Sequence, residues 1–179
     1  MMKTILWISL IGAALALPLG AQPAAGMTLT AMLKQPYDLI KSNLMRAAEA
    51  MPEENYLFRP VPAEMSYGQW VAHIADSMTR YCGAAMSKAE TGEAASKTSK
   101  ADLVAALKAS FGRCDTAFGE LTDANALEMV GPAGTPEKVA RAGMLAYVNT
   151  HNNEGYGSMA VYLRLKGIVP PSSQRANQK

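Results

Sequence analysis

Four stretches of this chain repeat apolar residues at every third or fourth position, and none alternates apolar with polar residues as a half-buried strand does. The first runs from about Thr28 to Met51 on Leu33, Tyr37, Ile40, Leu44, Ala47 and Met51, with Pro36 either kinking the helix or marking where its regular part begins. The second starts at Ser66, an N-cap, carries Trp70, Ile74, Met78, Tyr81 and Ala85, and ends near Ser87. The third is capped by Ser99 and carries Leu103, Leu107, Phe111, Cys114, Phe118 and Leu121. The fourth opens at Thr135-Pro136 and stops at Gly167. Its inward row reads Ala140, Gly143, Tyr147, His151, Glu154, Ser158, Val161 and Leu165. Four long helices without strands predict an all-α four-helix bundle, a single domain over residues 22–171. Residues 172–179 have nothing to pack against and are expected to fray.

The first 21 residues carry a different signature. Lys3 is followed by an uncharged apolar run from Ile5 to Leu17 and small residues up to Ala21, the parts of a secretory signal peptide. The run falls short of the roughly 20 apolar residues that span a bilayer. The mature chain is therefore expected in the periplasm or secreted, with no membrane attachment. Without Lys3 the chain has 16 basic and 15 acidic residues and no basic cluster, which argues against nucleic acid as a partner.

The two cysteines depend on the topology. At about 1.5 Å per residue, Cys82 lies roughly 24 Å along its helix and Cys114 roughly 21 Å along the next. Parallel helices place them level. An antiparallel pair offsets them by roughly 13 Å, beyond the 7 Å or so that a disulfide allows between Cα atoms. A connector of about twelve residues, Lys88 to Ser99, permits either arrangement, so a bridge and two buried thiols both stay open.

The chemistry concentrates on two histidines. His73 sits at the edge of the second helix's apolar face, and His151 with Glu154 occupies the middle of the fourth. If these helices are antiparallel and level, both imidazoles meet at one height. Two histidines and a carboxylate inside a bundle build a divalent metal site; the competing expectation is a hydrogen-bonded polar cluster. Asp76, one turn after His73, is either a further ligand or paired locally. No serine lies in a nucleophile-elbow context, and no phosphate-binding glycine loop is present.

The segments NYLFRPVPAEMSYGQWVAHIADS (55–77), LVAALKASFGRCDTAFGEL and HNNEGYGSMAVYLRLKGIVPPSS (151–173) resemble the DinB-like (DinB/YfiT) superfamily over nearly all of the mature chain. The resemblance implies an up-down-down-up bundle with parallel second and third helices, often a homodimer, and no DNA binding despite the family's name. It also implies a metal-dependent enzyme, and members of the family include thiol S-transferases and a thiol-dependent isomerase. The family's metal site takes one histidine from the second helix and two, four residues apart, from the fourth. His73 and His151 match; the third position falls on Gly155, which has no side chain. Two expectations follow. One is a weakened zinc or nickel site of His73, His151 and a carboxylate such as Glu154, acting as a transferase or hydrolase on a small molecule entering at the end of the bundle. The other is a metal-free bundle that binds a ligand or partner protein.

Overall fold

The computed structural model describes residues 27–174. The first 26 residues, with the expected signal peptide among them, and the last five lie outside them. Four helices carry the structure: α1 Leu29–Ala50, α2 Tyr67–Ala85, α3 Lys100–Gly119 and α4 Arg141–Leu165, followed by the short α5 Pro171–Gln174.

Local chemistry starts three of the four where the sequence places them. The Thr28 hydroxyl accepts from the Ala31 amide and begins α1, which runs through Pro36 on its exposed side. Ser66 and Gln69 form a reciprocal capping box at α2: Gln69 N donates to Ser66 Oγ at 3.3 Å and Ser66 N to Gln69 Oε1 at 2.8 Å. Ser99 accepts from the Asp102 amide and begins α3.

The fourth start differs. Thr135-Pro136 does not open α4. Residues 131–138 form a turn between two short antiparallel strands, β1 Met129–Val130 and β2 Val139–Ala140, and the helix begins only at Arg141. Among the described residues no side chain caps it. The carbonyls of Glu128 and Ala126 accept from Arg141 N and Ala142 N, both at 2.9 Å, and so satisfy two of its unpaired amides. A backbone cap made by a preceding loop leaves no trace in local composition. Gly131 belongs to this ribbon because a Cβ there would stand 2.1 Å from the Glu137 carbonyl oxygen.

Contacts at the helix ends give the chain direction. The Tyr67 hydroxyl, at the start of α2, donates to the Ala47 carbonyl at the end of α1. Gly68 lies against Leu103, both near the starts of α2 and α3, and Cys82 is bonded to Cys114, both near their ends, so these helices run parallel. Arg141 donates to the Ala85 carbonyl at 2.7 Å, joining the start of α4 to the end of α2. The path is up, down, down, up. Cys82 and Cys114 form a disulfide with Cα atoms 5.1 Å apart.

The core between the helices is closed by Tyr37, Tyr67, Phe111, Phe118, Leu107, Leu145 and Met159. Tyr37 stacks on Phe118 with centroids 4.0 Å apart, while its hydroxyl donates to Asp115 at 2.7 Å. The last carbonyls of α1 have no helical partner, and other elements supply donors: the Tyr56 hydroxyl to Ala48, and Lys100 Nζ to Glu49 and Met51. At the other end of the chain, Ser172 does not begin a frayed tail. Its amide donates to the Tyr156 hydroxyl at 2.8 Å and α5 continues to Gln174, which meets Arg46.

Candidate functional site

Antiparallel α2 and α4 bring His73 and His151 together. Their Nε2 atoms are 3.0 Å apart and their ring centroids 4.9 Å. One ring therefore donates an Nε2–H and the other accepts it. Trp70 lies edge-on to His73 at 5.9 Å, and Tyr81 and Tyr147 flank His151 at 5.7 and 6.2 Å. The pair lies along the seam between α2 and α4 rather than deep in the bundle: His73 is exposed and His151 half-buried.

Glu154 is not part of it as an inward residue. The inward row of α4 is Leu145, Val148, Asn152, Gly155, Met159 and Leu163, whereas Glu154 is exposed together with Tyr147, Val161 and Leu165. The sequence row is rotated because apolar residues occur all round α4 and two asparagines, Asn149 and Asn152, face the interior. Asn149 donates to the Leu33 carbonyl at 2.9 Å, but neither polar atom of the fully buried Asn152 has a partner among the described residues.

Gly155 decides the fate of the third ligand position. A Cβ there would stand 2.7 Å from Ile74 Cδ1 and 2.9 Å from Ile74 Cγ1. The space where a third side chain would begin is thus filled by isoleucine. Asp76 is also committed elsewhere. Its two oxygens accept from Ala94 N at 2.7 Å and Ala95 N at 3.0 Å, pinning the α2–α3 connector to α2. The connector lies so close that a Cβ on Gly92 would stand 2.0 Å from Asp76 Oδ1. Among the described residues, no three His, Cys, Asp or Glu side chains are grouped to hold an ion. The donor set consequently does not fit a three-ligand metal centre.

Burial holds the His151 imidazole below its usual value, the neighbouring His73 adds to that effect, and Asn152 and Glu154 oppose it. His151 Nδ1 is buried without a hydrogen-bond partner among the described residues. An unfolded imidazole titrates near pH 6.5, so below about that pH the unfolded chain binds more protons. The stability tied to neutral His151 is whole above about pH 6.5 and is lost as the pH falls from there to the depressed folded value. The thermal midpoint should therefore drop on acidification from about pH 7.5 to 5.5, and less steeply in His151→Gln. Equal slopes in the two proteins would refute this account.

Beside His73, along α2 and under the pinned connector, opens a cleft of about 680 Å³. Arg59, Arg80 and Lys97 stand on its rim, and Met65, Ala72 and Leu103 supply apolar lining. This volume is in the range of small-molecule sites. Its lining runs from the start of α2, at one end of the bundle, along the helix to Arg80. Sequence reasoning missed it, because its walls come from separate elements, brought together in part by Asp76 and Gly92, which carry no recognisable motif.

Fold and site define an all-α bundle with a histidine pair bridging its second and fourth helices. The DinB superfamily model matches residues 37–159, about two thirds of the chain, and the chain belongs to that superfamily. A DinB-like protein from Bacillus cereus ATCC 10987 is similar in structure, with a TM-score of 0.65 and 18% identity over 78% of this chain and 93% of that one. A DinB-like protein from Bacillus subtilis gives 0.61 and 19% over 76% and 92%. A mycothiol-dependent maleylpyruvate isomerase gives 0.57 and 11% over 75% and 63%. At these identities the likeness concerns the fold. No curated protein matches this chain.

Proposed function

We propose that this chain is an exported member of the DinB superfamily that binds a small molecule in the α2 cleft, with the His73–His151 pair as the polar edge of the site and no three-ligand metal centre. The observation that carries the reading is Ile74, which fills the room beside Gly155 next to two imidazoles already at hydrogen-bond distance. The pair holds one proton between its facing nitrogens; charging both rings at 3.0 Å would set two cations against each other. It can therefore donate to or accept from a ligand at the cleft mouth, where His73 is exposed. Export is supported by the N-terminal sequence and by the Cys82–Cys114 bridge, a bond that persists in oxidising compartments. The named small substrate of one fold neighbour, maleylpyruvate, accords with a ligand of modest size.

One observation favours a second reading. Two nitrogens on a tetrahedral ion at about 2.0–2.1 Å stand about 3.3 Å apart, close to the separation of these two. A zinc or nickel ion would then take His73 and His151, with Glu154 or water completing its shell. Elemental analysis of protein purified without a histidine tag, followed by titration with zinc and nickel, separates the two. The expected result is no stoichiometric metal and no thermal shift at saturation. One tightly held ion per chain, lost in His73→Gln, would establish the second reading instead.

A further inference from the structure

The cleft has an unbalanced charge. Of its charged side chains, Arg59, Arg80 and Lys97 are cationic and Asp76 alone is anionic. Both Asp76 oxygens are spent on the backbone amides of Ala94 and Ala95. The salt bridges among the described residues join Lys34 to Asp38, Lys41 to Asp115, Arg113 to Glu90 and Arg141 to Glu128. None involves the three cleft cations. Arg80 instead lies over the Tyr81 ring, 4.8 Å from its centroid, and donates to the Tyr81 hydroxyl at 3.1 Å. Arg59 donates to Gln69 at 3.3 Å. Both contacts are with neutral groups, so they orient the guanidinium ions without cancelling their charge.

The start of α2 adds to the same field, because Ser66, Gly68 and Gln69 line the cleft and a helix N-terminus carries partial positive charge. A concave surface focuses such a field. The other half of the cleft is apolar, with Met65, Ala72 and Leu103. The walls are held in place. Asp76 fixes the connector to α2, and Arg113 fixes it to α3 through Glu90 at 2.9 Å. The shape and charge are therefore built before any ligand arrives.

We infer that the ligand of this cleft is a small organic anion, its charged end held by Arg59, Arg80 and Lys97 and its apolar body laid against Met65, Ala72 and Leu103. This rests on the proposed reading of the cleft as a small-molecule site. It makes His73 the neighbour of the bound molecule, with the ring nitrogen that does not face His151 left to hydrogen-bond to it.

The test uses the full mature protein and two probes with one ring system, 8-anilinonaphthalene-1-sulfonate and uncharged N-phenyl-1-naphthylamine, read by fluorescence at low and at high salt. The sulfonate should bind once per chain, more weakly as salt screens the site. Replacing Arg59, Arg80 and Lys97 together by glutamine should weaken it at least about tenfold, the size of a lost charged hydrogen bond. The uncharged probe should bind more weakly than the sulfonate and respond little to that replacement. Ala95→Trp, which fills the cleft from an exposed position on the connector, should abolish binding of both. Equal binding of the two probes, blocked by Ala95→Trp, would overturn the anion while leaving the small-molecule site standing. Binding of neither probe would overturn both.

Discussion

Replacing Cys82 and Cys114 together by alanine is expected to destabilise the protein by about 3–4 kcal/mol. The bond closes a loop with a sequence separation of 32 residues, and the chain-entropy relation for a loop of that size gives about 3.7 kcal/mol at room temperature. For a chain of this length, about 2–4 °C of melting temperature accompanies each kcal/mol, so the midpoint should fall by about 10 °C. Dithiothreitol should lower the midpoint of the native protein in the same way and leave the double variant unchanged. Two free thiols in oxidised, denatured material, or a midpoint indifferent to reductant, would remove the bridge. The bond ties the ends of α2 and α3, the helices that carry the connector and with it one wall of the cleft. The double variant is thus expected to lose ligand binding at temperatures where the native protein retains it.

Gly155→His should restore nothing by itself. Position 155 is one turn after His151 on the same side of α4, so a histidine there would reach toward the pair. Its Cβ, however, would start 2.7 Å from Ile74 Cδ1, and Ile74 is fully buried. Overpacking of that kind costs about 1–3 kcal/mol. The single variant is expected to melt lower and to bind zinc no more tightly than the native protein. Combining it with Ile74→Ala opens the room, and only then should zinc affinity rise, by at least about tenfold or 1.4 kcal/mol. A gain in Gly155→His alone would mean that Ile74 moves aside freely and is no plug. No gain in the double variant would mean that position 155 does not aim at the two imidazoles.

Part of this site can be read before any coordinates. His73 and His151 are the only histidines of the chain, and helix arithmetic brings them level once α2 and α4 are antiparallel. The environment of the pair is another matter. Placing Glu154 on the inward row requires knowing the rotational phase of α4, and a helix with apolar residues on every side does not declare one. Asn152 at the centre of the buried face and Val161 on the outside both contradict what hydrophobicity would assign. Gly155 is visible as a departure from the family pattern. That isoleucine from a different helix occupies its place is not.

What the sequence alone determined about this protein is local: the starts of α1, α2 and α3, written in the hydroxyls of Thr28, Ser66 and Ser99, and the bundle class, written in the spacing of apolar residues. Capping and helical periodicity act over a few residues, so a short window contains their cause. Only the tertiary structure decided the late start of α4, the burial of its asparagines, the filling of the third ligand position and the cleft with its three cations. Each of these depends on atoms far apart in the chain meeting within a few ångströms, and which side chain wins a shared volume is settled by packing between helices, not by either helix on its own.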